Sequence, residues 1–246
     1  MTARVIFNAD DFGQGAGINR GIIECHERGV VTSASLMVTG RAVSEAVALS
    51  RDHPRLSVGL HWDVWGEDER DFDISDTAAV RDEFHRQLDE FVRVTGKLPT
   101  HVDSHRHAHL EPSLERVFQE LVKPLGLPLR GDGSVRFIGG FYAQWEWRVT
   151  NLEYVSVPFL ERMLREEVRE PCTEISCHPG YIEPDYTAVY AREREAEILT
   201  LTDPRIREVL SELGIELSSF GDYTCQEGLP ARERAEERYP SKGRAP

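Results

Sequence analysis

Short apolar runs alternate with amphipathic stretches along nearly the whole of this 246-residue chain, and that alternation narrows the fold more than any other feature. Runs near 4–9, 31–38, 56–62, 99–105, 127–131, 172–178 and 215–219 predict strands. The stretches 17–29, 42–52, 77–95, 113–125, 158–169, 184–199 and 204–213 predict helices between them. Strands joined through helices run parallel, because a parallel pair needs a crossover that a tight turn cannot provide. The expectation is an α/β fold, a (β/α) barrel-like single domain over 1–223, followed by a polar tail at 224–246 rich in Glu, Arg and Pro. Val80, Phe84, Leu88 and Phe91 fall on one helical stripe. Asp203 before Pro204 marks a helix start, and Gly96 and Gly214 mark stops.

Charge and composition exclude several roles. A formal net charge of −14 opposes nucleic acid, whose binding relies on clustered Lys and Arg. No apolar run approaches the roughly 18 residues needed to span a bilayer. The chain starts Met-Thr-Ala-Arg and enters an apolar strand at Val5, without the pattern of a signal peptide, so a cytoplasmic location is expected. The cysteines at 25, 172, 177 and 225 form no Cys-x-x-Cys pair and read as reduced thiols. Cys177 beside His178 is a poor nucleophile–base pair, since adjacent strand residues face opposite ways.

The chemistry-bearing residues gather at predicted strand ends. Val5-Ile6-Phe7 runs into Asn8-Ala9-Asp10-Asp11-Phe12-Gly13, placing two carboxylates where a parallel barrel carries its active face. The third strand ends at His61. The fourth reads His101-Val102-Asp103-Ser104-His105-Arg106-His107-Ala108-His109, with a ligand-capable residue at every second position. Those residues cannot all reach one ion, so a strand ending near 105 leaves His105 at the rim and carries His107 and His109 into a loop. There they can orient ligands, contact substrate or face solvent. One carboxylate with two imidazoles makes a three-ligand site with open positions, the arrangement of a catalytic metal that activates water. Asp10 and Asp11 can divide the ligand and base roles between them. His178, at the end of the sixth strand and held by Pro179-Gly180, is a candidate acid for an amine leaving group. The aromatics within 132–157 are open to three readings: a sugar site, the contact of a homodimer, or ordinary packing.

Four segments, Asn8-Ala9-Asp10-Asp11-Phe12-Gly13, Gly59-Leu60-His61, Thr100-His101-Val102-Asp103-Ser104-His105 and Cys177-His178-Pro179-Gly180, resemble in order the YdjC-like carbohydrate deacetylases. The resemblance covers about residues 4–223, and Arg194, Glu195 and Glu197 resemble that family's late helical motif. It implies a barrel-like fold related to polysaccharide deacetylases, a divalent cation, magnesium or zinc, and an acetylated amino sugar as substrate. By the same resemblance Asp11, His61 and His105 bind metal, Asp10 is the base, His178 is the acid, and Arg130 is the arginine near the base. Arg130 and His109 are also expected to contact substrate. The run His-Arg-His-Ala-His departs from the family pattern beside the cleft, leaving open whether the sugar is an oligosaccharide, a smaller sugar, a glycolipid or a sugar nucleotide. A metal phosphoesterase and a noncatalytic metal- or sugar-binding protein are the alternative functions.

Overall fold

A computed structural model describes residues 2–66, 72–184 and 188–227. Seven strands form one parallel sheet: β1 (Arg4–Phe12), β2 (Ser33–Leu36), β3 (Ser57–Trp62), β4 (Val102–Ser104), β5 (Arg136–Ile138), β6 (Cys172–Cys177) and β7 (Glu216–Leu217). Their order is β4-β3-β2-β1-β6-β5, with β7 paired to the start of β1. The helices are α1 (Ala16–Arg28), α2 (Val43–Asp52), α3 (Thr77–Thr95), α4 (Glu115–Val122), α5 (Val157–Glu166), α6 (Arg192–Leu201), α7 (Pro204–Leu213) and α8 (Phe220–Glu227). All the strand pairs are parallel, so every carboxyl end lies on one rim.

The predicted strand at 127–131 makes only a single bridge, Leu129 to Val102, at the outer edge of β4. The opposite edge is β5, inside a segment too irregular in sequence to read. Its three residues are too short to show a period of two. With Leu129 on one edge and β5 on the other, the sheet curls into a half-barrel whose edges are neighbours in sequence.

Burial explains the helical stripes. Val80, Phe84, Leu88 and Phe91 of α3 are completely buried, at about 1.5–3 kcal/mol for each of the larger side chains. Asp76 caps α3 by accepting from Ala78 N and Ala79 N, and Gly96 ends it at φ 77°. Helix α6 begins at Arg192, part-way along the helix expected over 184–199, of which 185–187 lie outside the described residues; ahead of it the chain docks on α1, where Tyr181 N donates to Gly17 O. A Cβ on Gly17 would stand 2.2 Å from Tyr181 O, so only glycine admits this approach. Helix α8, which runs across the expected boundary between the domain at 1–223 and the tail at 224–246, closes the amino-terminal end of the sheet. Its Phe220 stacks on His101 at 3.9 Å, while Phe220 N and Gly221 N donate to Ser33 Oγ and Ser57 Oγ. The expected tail beyond α8 lies outside the described residues. Among the described residues no helix is long and apolar enough to cross a membrane.

Candidate active site

The strand ends deliver their side chains to one cavity of about 350 Å³, lined among others by Asp10, Asp11, His61, His105 and His178. Two consecutive aspartates on a regular strand would face opposite ways. Here the β1–β2 register shifts between Ala9 and Phe12, and Asp11 adopts φ 68°. That left-handed residue costs about 1 kcal/mol or more, though Asp tolerates it better than most, and it brings both carboxylates into the cavity.

Asp11 Oδ1 is the hub, 3.2 Å from His61 Nε2 and 3.0 Å from His105 Nδ1. Its Oδ2 accepts from Arg194 at 2.6 Å. His61 Nδ1 donates to Asp103 Oδ1 at 2.6 Å, and Asp103 Oδ2 accepts from Ser35 Oγ at 2.6 Å and faces Arg130 at 2.9 Å. Burial opposes a charged His61, yet Asp103, Asp11 and Asp10 raise its pKa well above the ordinary value. Burial likewise opposes ionised Asp11, but Arg194, His105 and His61 hold its carboxyl well below the ordinary range.

This donor set fits a divalent cation. With Nδ1–H committed to Asp103, His61 turns Nε2 toward Asp11 Oδ1, and the raised pKa of the ring marks a place between them where positive charge is favoured, whether a proton or a cation that displaces it. Atoms about 2.0–2.2 Å from a shared ion stand about 3.0–3.5 Å apart, the spacing seen around Asp11. The ligand-capable atoms of Asp11, His61 and His105 all lie within 4.8 Å of one another. Asp103 stands where a carboxylate would orient His61 as a ligand to such an ion.

Asp10 lies beside this group, with Oδ1 and Oδ2 each 2.7 Å from Arg130 and Oδ1 accepting from Asn8 at 2.9 Å. Burial and Asp103 push its pKa up, but Arg130 prevails and the carboxyl falls below its ordinary value. His178 Nε2 is 3.7 Å from Asp10 Oδ2, with the rings of Tyr142 and Tyr190 at 5.4 and 5.6 Å. Burial lowers the pKa of His178 to about 4, so it rests neutral rather than near the neutrality expected from sequence.

Neither Arg130 nor His109 lines the cavity. Arg130 is buried below it, bonded to Asp10, Asp103 and Glu174. His109 lies between Ser104 Oγ at 2.6 Å and Arg130 O at 3.0 Å, so both ring nitrogens are engaged. The cause is the sharp turn after β4: Arg106 and His107 both adopt positive φ, 54° and 53°. This turn ends the alternation and directs His107 to the cavity and His109 beneath it. Arg194, Tyr142, Tyr190 and Trp147 also line the cavity; the sequence marked Tyr190 and Arg194 through the late helical motif, and Tyr142 and Trp147 among the aromatics of 132–157, without assigning any of the four a role in the site. Cys177 is an inert buried thiol, its Sγ donating to Asn8 O and its pKa pushed up by burial.

A model of the YdjC-like protein family matches residues 4–212. The chain belongs to the YdjC-like family. Among its relatives, a chitooligosaccharide deacetylase of Serratia marcescens is 30% identical over 90% of this chain and 100% of its own length. A carbohydrate deacetylase of Geobacillus stearothermophilus is 32% identical over 91% and 99%. An Enterococcus faecalis structure, described provisionally as a cellobiose-phosphate cleavage protein, superposes on this YdjC-like chain with TM-score 0.74 at 25% identity over 89% and 98%. A family 4 acetyl xylan esterase from Clostridium thermocellum in complex with cobalt shares the fold, with TM-score 0.57 at 15% identity over 92% and 93%.

Proposed function

We propose that this YdjC-like protein is a metal-dependent carbohydrate deacetylase that hydrolyses the N-acetyl group of an amino sugar, acting in the cytoplasm. The observation that carries the reading is the convergence of Asp11, His61 and His105 on one point, with the ionised Asp10 and His178 beside it in one cavity. Relatives named carbohydrate deacetylases along most of the chain support the same chemistry. Two imidazoles and a carboxylate suit zinc better than magnesium, which prefers oxygen ligands throughout. When bound, such an ion lowers the pKa of a water and polarises a carbonyl.

The residues of the chain manage one proton. As the water oxygen bonds to the acetyl carbonyl carbon, its proton passes to Asp10, which Arg130 keeps ionised and fixed in place. The C–N bond then breaks with its electron pair on nitrogen. His178, uncharged at rest and 3.7 Å from Asp10, carries that proton to the leaving amine. Base and acid therefore act in series; the second proton of the water leaves on the carboxyl product and passes to the amine, so acetate and the ammonium form of the amino sugar result. Arg130 acts through Asp10 and His109 through the turn beneath the cavity, each without touching the sugar.

The test is acetate release from N-acetylglucosamine, short chitooligomers and acetylated glycolipids with added zinc or magnesium. Asp10→Asn should retain metal but lose about 10²–10⁴-fold in rate. Undiminished release would remove Asp10 from the base role. Preferential phosphate release from sugar phosphates screened in parallel would favour a phosphoesterase, and metal binding without any turnover a noncatalytic protein.

A further inference from the structure

Exposed apolar side chains concentrate in one short segment: Trp145, Trp147, Val149 and Leu152 are 64%, 66%, 50% and 43% exposed. Such clusters mark binding surfaces more often than packing. Trp145 stacks on Tyr154 at 4.8 Å and 25°, whereas Trp147 lines the cavity that holds Asp10 and Asp11. The two are separated by a tight reversal in which Glu146 bridges Val149 and Arg148 takes φ 61°.

That reversal is braced from within. Glu193, only 1% exposed, accepts from Gln144 Nε2 at 2.8 Å on one limb and from Thr150 Oγ1 on the other. Ala191 N donates to it at 2.9 Å, and Asn151 N donates to Ala143 O at 2.7 Å across the base. A buried carboxylate is costly unless bonded in this way, so polar contacts fix a loop whose tip carries the largely exposed indole of Trp147, with the Arg148 guanidinium 5.8 Å over its ring. Packing gives no reason to hold Trp147 there. The cavity that holds the reacting groups is lined also by Trp147, Tyr142 and Gln144, and of these three Trp147 alone is widely exposed while Gln144 is buried in the brace.

Resting on the deacetylase reading, we infer that Trp147 forms a platform for a second pyranose ring, the one glycosidically joined to the sugar whose acetamide reaches Asp10. Pyranose C–H groups carry slight positive charge and favour the electron-rich face of an aromatic ring. The protein then prefers a disaccharide or longer substrate, and Trp147 sets that preference without taking part in the chemistry.

The test titrates N-acetylglucosamine and its β-1,4-linked disaccharide into zinc-loaded Asp10→Asn protein by calorimetry, with and without Trp147→Ala or Trp147→Phe. Ratios of kcat/KM in the otherwise wild-type background repeat the comparison should Asp10→Asn perturb folding. The disaccharide should bind roughly tenfold tighter than the monosaccharide, Trp147→Ala should abolish the difference, and Trp147→Phe should keep most of it. Equal effects of Trp147→Ala on both sugars, or on neither, overturn the inference. A change from dimer to monomer in sedimentation with sugar affinity intact also overturns it, making the loop a subunit contact. Disaccharide binding that depends on Trp147 without acetate release from wild type would sink the deacetylase reading but leave the subsite standing; release without that dependence does the reverse.

Discussion

The hydrogen bond from His61 to Asp103 decides what the imidazole can do, because it commits Nδ1 and leaves Nε2 facing Asp11. Removing such a carboxylate usually costs a metal site about 10–100-fold in affinity. Asp103→Ala should therefore weaken zinc binding by about that factor, read by competition with a chromogenic chelator, whereas Asp103→Asn, which can still accept through its amide oxygen, should lose less. Equal losses would place the role of Asp103 in its charge, through Arg130, instead of in orienting His61. Asp103 also shows how far residue types can be read in advance. Its place in the alternating fourth-strand run was visible in the sequence, but whether it grips a metal or a histidine depends on the neighbouring strand.

Helix α6 carries a different kind of information. Its buried face includes Glu193, Arg194 and Glu197, of which the sequence marked Arg194 and Glu197 through the late helical motif. Arg194 reaches Asp11, while Glu197 accepts from His178 N and Tyr190 Oη at 2.5 Å each, fixing two cavity residues from behind. Burial raises the Glu197 pKa to about 8, against its bonds to Tyr190 and His178 and the pull of Arg194. Between the ordinary value of 4.5 and about 8 the folded chain keeps this proton and the unfolded chain has lost it. The contribution of Glu197 is therefore most favourable below the unfolded value and declines as pH rises through that window, by up to about 1.4 kcal/mol per pH unit. In urea titrations from pH 5 to 8, Glu197→Gln should flatten the decline in stability. An unchanged slope would mean that Glu197 is ionised throughout.

For the whole molecule, the half-barrel separates a reactive rim from a stabilising base. The base is sealed by α8, with Phe220 buried against His101 and grouped with Ile6, Val135, Cys172 and Tyr223. Phe220→Ala should cost about 3–5 kcal/mol in urea unfolding while leaving zinc affinity unchanged. A comparable loss of metal affinity would show that base and rim are coupled through the His101–Ser35–Asp103 chain, in which Ser35 Oγ stands 3.0 Å from His101 and 2.6 Å from Asp103.

The parallel α/β order, the positions of β1 to β4 and β6, and the gathering of Asp10, Asp11, His61, His105 and His178 at strand ends were set by sequence, because apolar periodicity fixes elements and parallel order puts their carboxyl ends together. The short strand β5, the late start of α6 and the helix α8 were not legible, since each is defined by what it docks against. The same holds for the division of labour in the site. The left-handed Asp11, the double left-handed turn at Arg106 and His107, and the burial of Arg130 and His109 arise only when strands from distant parts of the chain meet. Local sequence encodes direction and polarity, but which charge faces which, and so which group binds and which carries the proton, is an electrostatic outcome of the closed fold.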